Sequence, residues 1–99
     1  MPQTLSINNN EQQQQFEYRE GDEVAHLVYR YYKQNIALMH TEVPASMEGR
    51  GVASALAAYG FEYAKAHNKK VMVYCPFVAT YLKRHPELKS QLDTAYHPG

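Results

Sequence analysis

The sequence contains a single cysteine, Cys75, which excludes an intramolecular disulfide and makes a reducing, cytoplasmic setting the expectation. It has no excess charge of either sign. Ten basic side chains balance ten acidic ones, so no overall field draws the chain onto nucleic acid or an anionic membrane, and neither is expected as a partner. No apolar run approaches the ~18 residues of a membrane-spanning helix. The opening Met1-Pro2-Gln3-Thr4 lacks the charged and apolar regions of a secretory signal. Tryptophan is missing, while nine tyrosines and three phenylalanines make an aromatic interior with polar edges, because buried phenols need hydrogen-bond partners. There is no internal repeat and no linker. A chain of 99 residues supplies one core and not two. A single domain over residues 1–99 is expected, as a monomer or a homodimer, with any site a cleft within it or between copies.

Apolar patterning divides the chain into an extended half and a helical half. Asn8-Asn9-Asn10 and the glutamines at 12–15 read as a turn followed by the solvated start of a strand. Phe16 and Tyr18 then alternate with Glu17 and Arg19 up to the turn signal Glu20-Gly21-Asp22. Residues 23–32 place Ala25, Leu27, Tyr29 and Tyr31 on one strand face and Val24, His26, Val28 and Arg30 on the other. Lys33-Gln34-Asn35 closes a hairpin, and residues 36–43 continue an antiparallel meander to Pro44. Over residues 50–67 the period becomes helical, with Val52, Leu56, Tyr59 and Tyr63 recurring among alanines that favour close packing on a sheet. Gly60, about 1 kcal/mol worse than Ala in a helix interior, marks either a close approach or a tolerated residue. Val71-Met72-Val73-Tyr74 is a short apolar strand of the kind buried on both faces, and a second helix starts at Pro76 and runs toward Pro86. Pro86-Glu87 and His97-Pro98-Gly99 read as chain-end turns. The fold class is α/β (α+β), a mixed and mostly antiparallel sheet flanked by two main helices.

Three groups of residues can carry chemistry. Gly49-Arg50-Gly51-Val52-Ala53 lies between a strand and a helix start, where free backbone N–H groups and the positive end of the helix dipole suit a phosphate. The dinucleotide fingerprint and the P-loop both fail here, the first for want of the third small residue and the later acid, the second for want of Gly-Lys-Ser/Thr. A plain turn into a helix is the other reading. His40 and Glu42 are two apart on an extended strand and so share a face with Ile36 and Leu38; if that face lines a cleft, either can take a proton from an amine. A solvent-facing polar pair is the alternative. A zinc deaminase site needs a second cysteine that the chain lacks, and no metal is expected. Cys75 precedes Pro76 at a helix start, as a thiolate stabilised by the dipole or as a packed thiol. Tyr81, about two turns into that helix and four residues before His85, can protonate a thiolate leaving group.

Taken together, His40-Thr41-Glu42-Val43-Pro44, Gly49-Arg50-Gly51-Val52-Ala53-Ser54-Ala55-Leu56, Val73-Tyr74-Cys75-Pro76 and Tyr81 to Glu87 resemble, in order and spacing, the smallest GNAT-type N-acetyltransferases. The resemblance covers nearly the whole chain. It implies acetyl-CoA as cosubstrate and a primary amine, small molecule or protein, as acceptor. The family's pyrophosphate loop, Arg/Gln-x-x-Gly-x-Gly/Ala, falls on residues 48–53, with Glu48 in place of Arg or Gln and Arg50 left to supply the favourable charge. It further implies Val43, Gly49, Arg50, Gly51, Val52 and Ala53 as cofactor-binding residues, Tyr81 as acid to the departing thiolate and Cys75 as a thiol near the acetyl group; His40 and Glu42, from the strand reading, are the candidate bases. A non-catalytic acyl-CoA-binding or protein-interaction module is the competing function.

Overall fold

Alternating apolar positions build the sheet first. The computed structural model describes residues 6–94. Strands β1 (Asn8–Asn10), β2 (Gln15–Glu20), β3 (Glu23–Tyr32), β4 (Asn35–Glu42) and β5 (Val71–Val73) form one sheet in the order β1-β2-β3-β4-β5. The first four pair antiparallel, and β5 joins β4 in parallel through a crossover containing helix α1 (Val52–Ala66). Helix α2 (Pro76–Arg84) follows β5 directly. The expected meander, crossover and second helix are all present. The His97-Pro98-Gly99 turn lies outside the described residues.

Two segments differ from the sequence reading. Asn8–Asn10, expected as a turn, is the edge strand β1, because its side chains find partners across the sheet: Tyr29 Oη donates to Asn9 Oδ1 at 2.6 Å and Asn10 Nδ2 donates to Glu17 at 2.9 Å. Such contacts outweigh the poor intrinsic strand preference of asparagine. Pro86–Gln91 is a 3-10 helix rather than a bare turn, and Leu92 beyond it bridges to Val71.

The core lies between the sheet and the two helices. Phe16, Leu27, Tyr29, Ile36 and Leu38 from the sheet are fully buried with Leu56, Phe61 and Val78 from the helices. Gly60 sits against this layer, where an added Cβ would lie 3.5 Å from methyls of Leu27 and Leu38, an ordinary contact distance. It is a tolerated residue rather than a required one. Gly60→Ala is therefore expected to stabilise the domain by about 1 kcal/mol through helix propensity, read as a higher denaturant midpoint with an unchanged slope. The opposite sheet face is more polar. Glu17 is buried there; burial pushes its carboxyl up, but hydrogen bonds from Gln15, Asn10 and Arg19 outweigh that and hold it below its usual value.

Candidate active site

Three changes of direction coincide in the middle of β4. Leu38 pairs with Tyr29 and His40 with Val28, so Met39 is bulged out of the ladder with β3. Pairing with β5 ends at Leu38 and Val73. The Leu38 carbonyl then accepts from the N–H groups of both Tyr74 (3.0 Å) and Cys75 (3.1 Å), which carries the chain off the sheet and into α2. Beyond Leu38, β4 keeps β3 on one side and, among the described residues, has no strand on the other, and the sheet opens.

The bulge corrects one expectation. Strand side chains alternate, so one extra residue reverses which face the following residues occupy. Thr41 takes the inward position opposite Leu27, whereas His40 and Glu42 fall on the outer face with Val28 and His26 and do not share a face with Ile36 and Leu38. Thr41 Oγ1 lies 3.3 Å from Cys75 Sγ. Cys75 is 2% exposed and belongs to the core, which favours the packed-thiol reading of this residue.

Two adjoining hollows lie on the helix side. The smaller, about 200 Å³, is lined by Val43, Met47, Glu48, Gly49, Gly51, Val52, Ala53, Ser54 and Phe77. Five of the six residues expected to hold a cofactor thus surround one space. Gly51, at φ +80°, caps α1 in a left-handed conformation suited to glycine. Neither α1 nor α2 has a side-chain cap or an acidic residue in its first turn, which leaves both positive helix ends open to an anion. The larger hollow, about 710 Å³, shares Gly51, Ser54 and Phe77 with the first and runs between the helices. Its α1 wall is Gly51, Ser54, Ala55, Ala58, Tyr59 and Glu62; its α2 wall is Phe77, Thr80, Tyr81, Arg84 and His85. Apart from Gly51 and the expected Tyr81, sequence reasoning missed these walls. Their signal is a second helical stripe, at 51, 54/55, 58/59 and 62, beside the core stripe, with small residues in it that leave room.

Arg50 is the exception among the loop residues. It lines neither hollow; its Nη1 and Nη2 donate to the two Glu20 carboxylate oxygens at 2.7 and 2.5 Å. The tip of the β2–β3 hairpin therefore clasps the loop, helped by Ser46 donating to Glu23. Arg50 and Tyr18 together hold the Glu20 carboxyl at about 2, down from 4.5. Because the folded value lies below the ordinary one, this clasp is complete above about pH 4.5 and is lost as pH falls toward 2. The Glu20 carboxyl carbon is expected to titrate near pH 2 by NMR, and in Arg50→Ala at a higher pH, still held below the ordinary value by the hydrogen bond from Tyr18.

Tyr81 stands in the cleft wall, its ring 4.3 Å from that of His85 and 6.4 Å from that of Phe61. Burial, then the charge of Glu87, raises its phenol above the usual value, so it is protonated at neutral pH and able to donate. Cys75 lies six residues earlier, roughly 9 Å back along the helix axis.

Known proteins resemble the chain in sequence and in fold. The chain is 31% identical over 85 residues to Protein NATD1 of Mus musculus, covering 83% of this chain and 77% of that protein. The Xenopus tropicalis counterpart is 29% identical over 86 residues, 84% of this chain and 79% of that protein. The solution structure of a GCN5-like candidate N-acetyltransferase from Staphylococcus aureus superposes with a TM-score of 0.68 at 23% identity, covering 99% of this chain and all of that one. That likeness shows a common fold. The family model for GCN5-related N-acetyl-transferases matches residues 15–92, from the start of β2 to the bridge that follows the last 3-10 helix, and the chain belongs to that family.

Proposed function

We propose that the chain binds acetyl-CoA along the α1/α2 cleft and transfers the acetyl group to a primary amine. One observation carries this reading: two uncapped helix N-termini and five loop residues enclose a space continuous with a larger cleft between the helices. The backbone of these residues fits the group, with Glu48 the one lining side chain of the smaller hollow that opposes an anion. Backbone N–H groups at the start of α1 and α2 suit a pyrophosphate, and the open cleft between Ala55, Ala58 and Phe77 suits an uncharged arm. Arg84 adds positive charge in the α2 wall. When bound, acetyl-CoA supplies an acetyl carbon activated as a thioester.

The chain's own groups then divide the proton work. An alkylamine with a pKa near ~10.4 must lose a proton before it attacks. The amine enters the gap beside β4 from the outer face, where His40 takes that proton with Glu42 near the end of the same strand. Backbone N–H groups near Val43 polarise the carbonyl. The new C–N bond replaces the C–S bond, and Tyr81 protonates the departing sulfur. Tyr81→Phe is expected to lower kcat by about 10²–10⁴-fold with little change in KM; an unchanged kcat would end the acid assignment.

The deciding experiment incubates the protein with acetyl-CoA and a panel of amines, following free CoA thiol and intact protein mass. Thiol release that depends on the amine supports direct transfer. Saturable binding without release across the panel would leave a non-catalytic acyl-CoA module instead. An acetyl adduct that disappears in Cys75→Ala would replace direct transfer by a covalent route through that thiol.

A further inference from the structure

The outer face of the sheet carries a cluster of metal-ligating groups remote in sequence and adjacent in space. The β3–β4 register sets His26 opposite Glu42 and Val28 opposite His40, so His26 has one direct and one diagonal neighbour on β4. One nitrogen from each imidazole and one Glu42 carboxylate oxygen all lie within 4.8 Å of one another. His26 Nε2 and Glu42 Oε1 are 3.5 Å apart. Two ligands bound at about 2.0–2.1 Å to a tetrahedral ion stand about 3.4 Å apart, so one edge of a coordination shell is already in place. The His26 and His40 rings meet at 74° with centroids 6.0 Å apart. His26 is half-buried and supplies the fixed ligand; His40 and Glu42 are exposed and can rotate inward without disturbing the core.

We propose that His26, His40 and Glu42 form a binding site for a transition-metal dication of borderline softness, with Zn²⁺ the ion of best fit. Two imidazoles and a carboxylate suit Zn²⁺ and its neighbours, whereas Ca²⁺ and Mg²⁺ call for a shell of six or more oxygens. Three protein ligands leave a coordination position for water or a small anion. The bulge at Met39 creates the site, since without the reversal His40 and Glu42 would face the core side, away from His26. The single cysteine argues against a thiolate site only, and the pairing of His26 with β4 is fixed by strand register and not by residue order. A consequence follows that rests on the transfer reading: an imidazole nitrogen holding a metal cannot take a proton from an amine, so the loaded chain is inactive. Metal binding itself does not depend on that reading.

The test titrates the full chain with Zn²⁺, following the histidine rings by ¹H–¹⁵N NMR, and with Co²⁺, following visible absorption. One equivalent is expected to bind, shifting the His26 and His40 rings, with no thiolate charge-transfer band and no response to Mg²⁺. His40→Ala, an exposed substitution, and His26→Gln should each weaken binding at least about tenfold, and Cys75→Ser should leave it unchanged. Absence of binding at about 1 mM Zn²⁺, or affinity unchanged in both histidine variants, would overturn the site. Zinc binding at these residues with acetyl transfer undiminished would uphold the metal site and remove His40 as the base.

Discussion

Replacing Ala58 by phenylalanine is expected to leave the domain folded and to abolish its response to CoA. Ala58 stands in the α1 wall of the cleft beside Ala55 and Tyr59, facing the α2 wall of Phe77, Thr80 and Tyr81. A benzyl group grown from that Cβ enters the space between the helices instead of the core, which is built from the neighbouring stripe of Val52, Leu56, Ala57, Gly60 and Phe61. The helix itself loses only about 0.5 kcal/mol of propensity. Saturating ligand at about 100 times its dissociation constant stabilises a domain by about 2.7 kcal/mol, which corresponds to a rise in melting temperature of roughly 10–20 °C at this size. The unsubstituted protein should show that rise with CoA and Ala58→Phe should not. If both respond equally, the ligand does not occupy the α1/α2 cleft, and the assignment of acetyl-CoA to it falls.

Phe16→Ala carries the largest expected effect on stability. Phe16 is fully buried on β2, its ring stacked at 4.5 Å on Tyr29 and set at 5.0 and 5.4 Å from Tyr59 and Tyr63 of α1. It fastens the sheet to the helix. Removing a buried aromatic ring of this kind costs about 3–5 kcal/mol, a large share of the roughly 5–15 kcal/mol that holds a small domain together. A fall in melting temperature of at least about 12 °C is expected. A loss below about 1 kcal/mol by denaturant titration would mean that Tyr29, Tyr59 and Tyr63 close the cavity, contrary to the usual stiffness of a packed core.

Much of this architecture is legible in residue order. The period-two runs around Phe16, Leu27 and Ile36, the helical run after Gly51, and Pro76 after an apolar strand each report a local preference, and each element appears where it was expected. Five of the loop residues could be grouped because strand end, turn and helix start follow one another without a gap, so neighbours in sequence stay neighbours in space. Arg50 could not be placed this way. Its partner Glu20 lies on another hairpin, 30 residues earlier, and long-range charge pairing leaves no local mark.

Residue order dictates the set of elements, their succession, and the strand-turn-helix that presents backbone N–H groups, because periodicity and turn chemistry act over a few residues. Three other features arise from long-range packing. Packing sets the second stripe of α1 against α2 to make the cleft, buries Cys75 beside Thr41, and through one bulged residue at Met39 turns His40 and Glu42 to the face that carries His26. A bulge is a property of the pairing between two strands, and alternation read along one strand cannot report it.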